Sequence, residues 1–332
     1  MIITLGELES AARIVYSAMP PTPQQRWPLL DARCGAAVWV KHENHTPVGA
    51  FKVRGGLVYF DHLRRTESGL KGVVAATRGN HGQSVAFAAA RCRIPTAVVV
   101  PHGNSATKNA AMRALGAELI ERGHDFQASL EASADIAAER GWHQVPSFHP
   151  LLVNGVATYS LELLRAAPEL EILYVPIGLG SGICGAIAAR DALGLNTEIV
   201  GVVSAAAPAY ARSLELGRPV SREVSASIAD GMACRTPVAE ALDAIRAGVA
   251  RVVEVTDDEV EQAMRILFTD THNVVEGAGA AGLAALLQDQ GALFEDQRKT
   301  RRRTAGIVLT GANVDADKFA RLLLEPEPSR TP

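Results

Sequence analysis

Short runs of β-branched and other apolar residues alternate along the chain with longer Ala- and Leu-rich stretches whose apolar positions recur at helical spacing. The short runs are GVVAAT at 72–77, TAVVVP at 96–101, EILYVPI at 171–177, EIVGVVS at 198–204 and GIVLT at 306–310. Alternation of such runs with helices is the pattern of parallel sheets covered by helices on both faces, so the fold class read from it is α/β. Asp125 to Arg140, Asp257 to Asp270 and Ala280 to Gln288 predict helices between them. The opening MIITLGELESAARIVYSAMP reads as a first helix, because its early acidic residues and missing apolar core distinguish it from a secretory leader. Ligands in such folds bind outside the carboxyl ends of the strands, which directs attention to the loops after residues 77, 177 and 310.

Composition changes this picture little. A length of 332 residues suits two lobes of ordinary size or one large α/β unit. With 33 basic against 36 acidic residues and 48% apolar residues, the chain has no bias toward polyanions, and no nucleic-acid partner is expected. The basic run from Arg298 to Arg303 adjoins acidic residues and reads as a solvated loop. Cys34, Cys92, Cys184 and Cys234 are too dispersed for a redox pair or a zinc knuckle and are expected to be reduced and mostly buried. No apolar run reaches membrane-spanning length, so the expected compartment is the cytoplasm, with no membrane partner.

Four segments carry candidate chemistry. In HENHTPVGAFKVRGG (42–56), Gly49, Ala50 and Phe51 set Lys52 against packed surface, where desolvation lowers the pKa of an amine and lets it attack a carbonyl. In ATRGNHGQSVAFAAA (76–90), a strand turns through Gly79, Asn80, His81 and Gly82 into a helix, whose unpaired N–H groups suit a carboxylate; Asn80 alone reads equally as a helix cap. In VPIGLGSGICGAIAA (175–189), Gly178, Gly180, Gly182 and Gly185 lead from a strand into a helix and form a phosphate cradle. The same stretch satisfies G-x-G-x-x-G, but a dinucleotide site also wants an acidic residue ending the next strand, where EIVGVVS has Ser204. An NAD-binding dehydrogenase is therefore the runner-up outside the class. In IVLTGANVD (307–315), Thr310 offers a hydroxyl at a strand end, and a plain turn or cap role is its alternative.

Together and in this order, these segments, with SIADGMA (227–233) and VVEGAGAAGLAAL (274–286), resemble the fold-type II pyridoxal-phosphate enzymes, which are tryptophan synthase β-like, and within them the threonine/serine dehydratase and serine racemase group. The resemblance runs from about Pro20 to Asp315. It implies two lobes, each with a mainly parallel sheet flanked by helices: a larger cofactor-binding domain from 1–66 and 148–332, and a smaller substrate-loop domain at 67–147. It implies pyridoxal 5'-phosphate held as a Schiff base on Lys52, which is also the base at Cα. Phe51 would pack beside the ring and Asn80 would bond its 3-hydroxyl. Gly178, Leu179, Gly180, Ser181 and Gly182 would hold the phosphate, Glu276 would lie near the ring, and Thr310 would face the ring nitrogen. Thr77, Arg78, Gly79, Asn80 and His81 would surround the substrate carboxylate, mainly through backbone N–H groups. A homodimer is implied as well.

The implied activity is dehydration and deamination of a β-hydroxy amino acid to a 2-keto acid and ammonia, with β-replacement or racemisation as alternatives. Arg78 stands where the racemases place a catalytic serine, which argues against racemisation. After EIVGVVS, Ser204-Ala205-Ala206-Ala207-Pro208 supplies no carboxylate for a hard cation, so no metal is expected at that family site. Little chain follows LTGANVD, and a regulatory domain of the biosynthetic threonine dehydratases is not expected. The guanidinium of Arg78 suits a second carboxylate or an aromatic ring, which keeps threonine or serine, 3-hydroxyaspartate and phenylserine open as substrates, with a structural salt bridge as the other reading.

Overall fold

The computed structural model describes residues 2–225, 228–291 and 303–324, so residues 298–302 of the basic run lie outside the described residues. Two sheets form the frame. The larger contains β1 (Gln24–Arg26), β2 (Ala37–Lys41), β7 (Ile172–Pro176), β8 (Glu198–Ser204), β9 (Arg251–Val255) and β10 (Thr304–Val308), in the order β1-β2-β10-β7-β8-β9. All its pairings are parallel except β1 with β2. The smaller, wholly parallel sheet has the order β5-β4-β3-β6, from β3 (Val73–Ala76), β4 (Thr96–Val100), β5 (Glu118–Glu121) and β6 (His143–Gln144).

Successive strand residues point to opposite faces, and in the larger sheet both faces are buried. Val38, Val40, Tyr174, Val200, Val202 and Ile307 pack with the Asp257–Thr271 and Gly277–Gln288 helices on one side. Leu173, Val175, Ile199, Val203 and Val308 pack with the Pro150–Ala166 and Ser181–Ala192 helices on the other. Each such side chain contributes about 1.5–3 kcal/mol through removal from water, which is why the strands read as unbroken apolar runs. In the smaller sheet, Val73 and Ala75 meet Tyr59, Phe60 and Leu63 of the Lys52–Thr66 helix, while Val74, Ala97 and Val99 meet Ala132 and Ile136 of the Phe126–Arg140 helix. Its strands all fall between residues 73 and 144, but the Lys52–Thr66 helix and Leu152 join the same core.

The last strand differs from its sequence expectation. It spans Thr304–Val308 rather than 306–310, because its neighbour β2 ends at Lys41 and turns into the 3-10 segment Glu43–His45. Thr310 therefore stands beyond the sheet edge. The first helix, Leu5–Tyr16, begins in a capping box in which Thr4 and Glu7 satisfy each other's backbone N–H groups. Cys34, Cys184 and Cys234 are buried, Cys92 is half-buried, and all four are free thiols.

Candidate active site

The carboxyl edges of the two sheets face one cavity. Lys52 is the first residue of the Lys52–Thr66 helix, and its place is fixed by the loop before it. Thr46 closes that loop, its Oγ1 accepting from the Ala50 N–H at 2.8 Å and donating to the Ala50 carbonyl at 2.9 Å. The Phe51 N–H then donates to the Thr310 carbonyl at 3.0 Å, and Ala50 bridges to Gly311, so the lysine is stapled to the end of β10. Its Nζ lies 5.1 Å from the centre of the Phe51 ring. Burial pushes the Lys52 amine down to about 8, with Glu276 pulling the other way. A useful fraction of the amine is thus unprotonated near neutral pH. The neighbouring His81 imidazole is lowered to about 3, by burial first and by Lys52 second, and is neutral at physiological pH.

The Asn80–Cys92 helix starts immediately after β3. Gly79 caps it within the bend that leads from β3 into the helix. What requires glycine there is room, since a Cβ would stand 2.5 Å from Cδ of Lys108. Thr77 Oγ1 accepts from the Gly79 N–H at 2.9 Å and from the Gly82 N–H at 3.3 Å. Those two donors are therefore spent, and the helix offers an incoming anion the N–H groups of Asn80 and His81. Asn80 is no cap: it is the first helical residue, and its side chain is held from two sides. Its Nδ2 donates to Glu276 Oε1 at 2.6 Å, and its Oδ1 accepts from Asn313 Nδ2 at 2.8 Å.

After β7, residues Gly178, Leu179 and Gly180 lead into the Ser181–Ala192 helix, with Gly180 as cap at φ 102°, a left-handed conformation that excludes most side chains. The loop is braced from behind by the Tyr210 hydroxyl, which donates to the Leu179 carbonyl at 2.8 Å. No side chain caps this helix, so its first N–H groups remain directed at the cavity. Phe51, Lys52, Asn80, Gly178, Leu179, Gly180, Ser181, Gly182, Glu276 and Thr310 line one chamber. Lys52, Thr77, Arg78, Gly79, Asn80 and His81 line an adjoining one. Lys52 and Asn80 stand in both.

Arg78 is exposed at this second chamber and makes no ion pair among the described residues, which corrects the reading of it as a structural salt bridge. The sequence reading missed Lys108, Asp230 and Asn313. Lys108 reaches Asp230 at 2.6 Å, and Asp230 lines the same chamber. Nothing marks Lys108 within its Ala-rich helix, whereas Asp230 and Asn313 lay inside quoted motifs without an assigned role.

A family model described as pyridoxal-phosphate dependent enzyme matches residues 15–311. The chain belongs to this family. Among similar pyridoxal-phosphate enzymes, it is 31% identical to an L-threonine ammonia-lyase of Thermotoga maritima, over 97% of this chain and 78% of that one. It is 30% identical to an L-threo-3-hydroxyaspartate ammonia-lyase of Saccharomyces cerevisiae, over 100% of this chain and 99% of the relative. Maize serine racemase has a similar structure, with a TM-score of 0.89, 27% identity and 97% of each chain covered. The family assignment removes the dinucleotide reading of the glycine loop.

The residues present fit pyridoxal phosphate. An amine with lowered pKa, an uncapped helix start lined by glycine and the half-buried Phe51 ring surround one chamber. Glu276 Oε2 at that chamber and His81 Nε2 at the adjoining one are buried without a hydrogen-bond partner, as polar atoms are when a polar group is meant to meet them.

Proposed function

We propose that this pyridoxal-phosphate enzyme is an ammonia-lyase that converts a β-hydroxy amino acid carrying a second carboxylate into a 2-keto acid and ammonia. The observation that carries the choice of substrate is Arg78, a cavity-lining guanidinium with no ion-pair partner among the described residues. A bidentate carboxylate is the natural complement of such a group. The hydroxyaspartate ammonia-lyase from Saccharomyces cerevisiae, matched over nearly the full length of both chains, supports the same choice.

When bound, pyridoxal phosphate supplies an electron sink for the charge left at Cα. The phosphate would lie on Gly178 to Gly182, the ring beside Phe51 with Asn80 at its hydroxyl, Glu276 near it and Thr310 at its nitrogen. A neutral hydroxyl such as that of Thr310 does not hold a ring nitrogen protonated as a carboxylate does, which favours prompt elimination over transamination. The substrate's α-carboxylate would rest on the Asn80 and His81 N–H groups and its distal carboxylate on Arg78. This fixes the Cα–H bond toward Lys52, whose amine is the base that takes the proton. His81, neutral beside it, adds no competing positive charge. Among the described residues Lys52 is the one lysine that lines both chambers, which suits it to serve cofactor and substrate.

A substrate panel tests the reading. Wild type is expected to release keto acid from 3-hydroxyaspartate faster than from serine, threonine or phenylserine. Losing a charge-assisted pair of about 1.5–3 kcal/mol, Arg78→Ala should drop kcat/KM for the dicarboxylate about 10- to 100-fold and leave serine nearly unchanged. An equal loss on all substrates would return Arg78 to a general role, and conversion of L- to D-amino acid without keto acid would favour racemisation. The resemblance also supports a homodimer acting in the cytoplasm, which sedimentation and fractionation would check.

A further inference from the structure

We propose that Lys108 is a positioning residue that sets the charge of Glu276, and through it the orientation of Asn80, from across the junction of the two sheets. Lys108 sits on the Ala106–Ala114 helix, which packs on the smaller sheet through Met112 against Val98 and Val100. Its amine crosses to the other side of the cavity, 2.6 Å from Asp230 Oδ2 and 3.8 Å from Glu276 Oε2. The same helix is anchored at its cap, where Ser105 Oγ donates to Asp315 Oδ1 at 2.6 Å. With that anchor and its own side chain 8% exposed, Lys108 has little freedom to leave the two carboxylates.

Glu276 is sealed from water, and one of its oxygens has no hydrogen-bond partner. A carboxylate so placed takes up a proton unless cations face it. Among the described residues two do: Lys108 from the Ala106–Ala114 helix and Lys52 from its own. Asp230 acts in the opposite sense, as a like charge and as a competitor for Lys108. The remaining groups around Glu276 are the neutral amide of Asn80 and, one step further out, Asn313 and His81, while Asp315 acts on Lys108 rather than on Glu276. Burial raises the Glu276 pKa, Lys108 lowers it and Asp230 raises it again. Burial also works against the charge of Lys108, but Glu276 and Asp230 outweigh it and keep that amine protonated. Burial prevails and carries Glu276 up to about 7, where the way one ammonium is shared between two carboxylates tunes its charge. It matters because Asn80 spends one amide hydrogen on Glu276 Oε1 and its oxygen on Asn313; the charge on Glu276 sets how strongly that first hydrogen is held, and so how firmly the second is aimed.

The inference deepens the proposed role of Asn80 and rests on that reading, but its test needs no turnover. Holoenzyme labelled with glutamate carrying ¹³C at Cδ is titrated by NMR, the Glu276 resonance being identified by its loss in Glu276→Gln. Lys108→Met should raise the Glu276 midpoint by about one pH unit or more, the scale set by a nearby opposite charge. Lys108→Arg should hold it near wild type, and Asp230→Asn should lower it. Opposite shifts in the Lys108→Met and Asp230→Asn variants support the proposal even if no hydroxy amino acid is consumed, in which case the functional reading fails alone. A midpoint unmoved by both changes, or moved the same way by both, overturns it; Asp230→Asn and Lys108→Arg decide the matter if Lys108→Met does not fold.

Discussion

The Lys52 amine has two properties that a surface lysine lacks. It is oriented, because the backbone before it is tied to Thr310 in the loop after β10 and its own carbonyl to the Asn80–Cys92 helix, the latter by Ser84 Oγ donating at 2.6 Å. It is also easily deprotonated, with burial outweighing the attraction of Glu276 and bringing it to about 8. Only the neutral amine attacks an aldehyde, so covalent capture of pyridoxal phosphate by the apoprotein should accelerate as pH rises through about 8 and level off above it. Stopped-flow absorbance across that range measures this, and a flat profile would show that the amine is not limiting. Lys52→Arg keeps a cation of similar length and removes the nucleophile. After borohydride reduction, mass spectrometry should find a pyridoxyl group at position 52 in wild type and none in Lys52→Arg.

At the scale of elements, both chambers are built from strand-to-helix turns, and the backbone of those turns is as much a part of the site as any side chain. Gly178 shows it most sharply: a Cβ there would lie 2.4 Å from the Gly231 carbonyl oxygen, and backbone cannot swing aside as a side chain can. Gly178→Ala should therefore push the loop and the 3-10 segment Asp230–Met232 apart, with an overpacking cost of about 1–3 kcal/mol. Cofactor affinity should fall by a larger factor than thermal stability suggests, because the displaced loop includes the N–H groups proposed to hold the phosphate. Titration of apoprotein with pyridoxal phosphate beside a melting curve separates the two effects. Such turns were legible in the sequence because glycine clusters between an apolar run and a helix have few other uses. β4 and β8 were legible for a similar reason, being apolar at almost every position, and β8 begins at Glu198 and ends at Ser204 as its sequence suggests. β5 and β9 were not, since in ELIE and RVVEV the charges leave only two adjacent apolar residues, and β2 was missed although AVWVK holds four. Lys108 was hidden for a different reason. Its partners lie more than a hundred residues away, and no local pattern announces a lysine that acts across the cavity.

For the molecule as a whole, the position of Lys52 depends on a charged cluster buried two residues further along its helix. Arg54 is fully buried and bonds Glu43 at 2.7 Å, Glu162 at 2.6 Å and Thr158 at 3.0 Å. Lys41 joins it through Glu162 and the Thr22 carbonyl, and Tyr16 of the first helix donates to Glu162 at 2.9 Å. The cluster thus gathers the first helix, the β1–β2 edge, the Lys52–Thr66 helix and the Pro150–Ala166 helix around one point. Removing a partner from a buried ion pair costs about 3–5 kcal/mol, mostly because the opposite charge is left unpaired. Arg54→Met should lose roughly that much stability at pH 7, measured by urea unfolding. The pH dependence distinguishes an electrostatic loss from a packing loss. In wild type, burial opposes the Glu162 charge, but Arg54 and Lys41 outweigh it and hold this carboxyl below its ordinary 4.5. Its contribution is accordingly complete above the unfolded value and declines as pH falls through the folded one. In Arg54→Met the desolvation that remains favours the protonated acid, and a proton can relieve the unpaired charge. The stability gap between variant and wild type should therefore narrow between pH 7 and pH 5, whereas a gap of equal size at both would assign the loss to packing. Should the gap narrow as expected while Arg54→Met still binds pyridoxal phosphate more weakly than wild type at the same pH, the cluster would be supporting Lys52 by geometry as well as by stability.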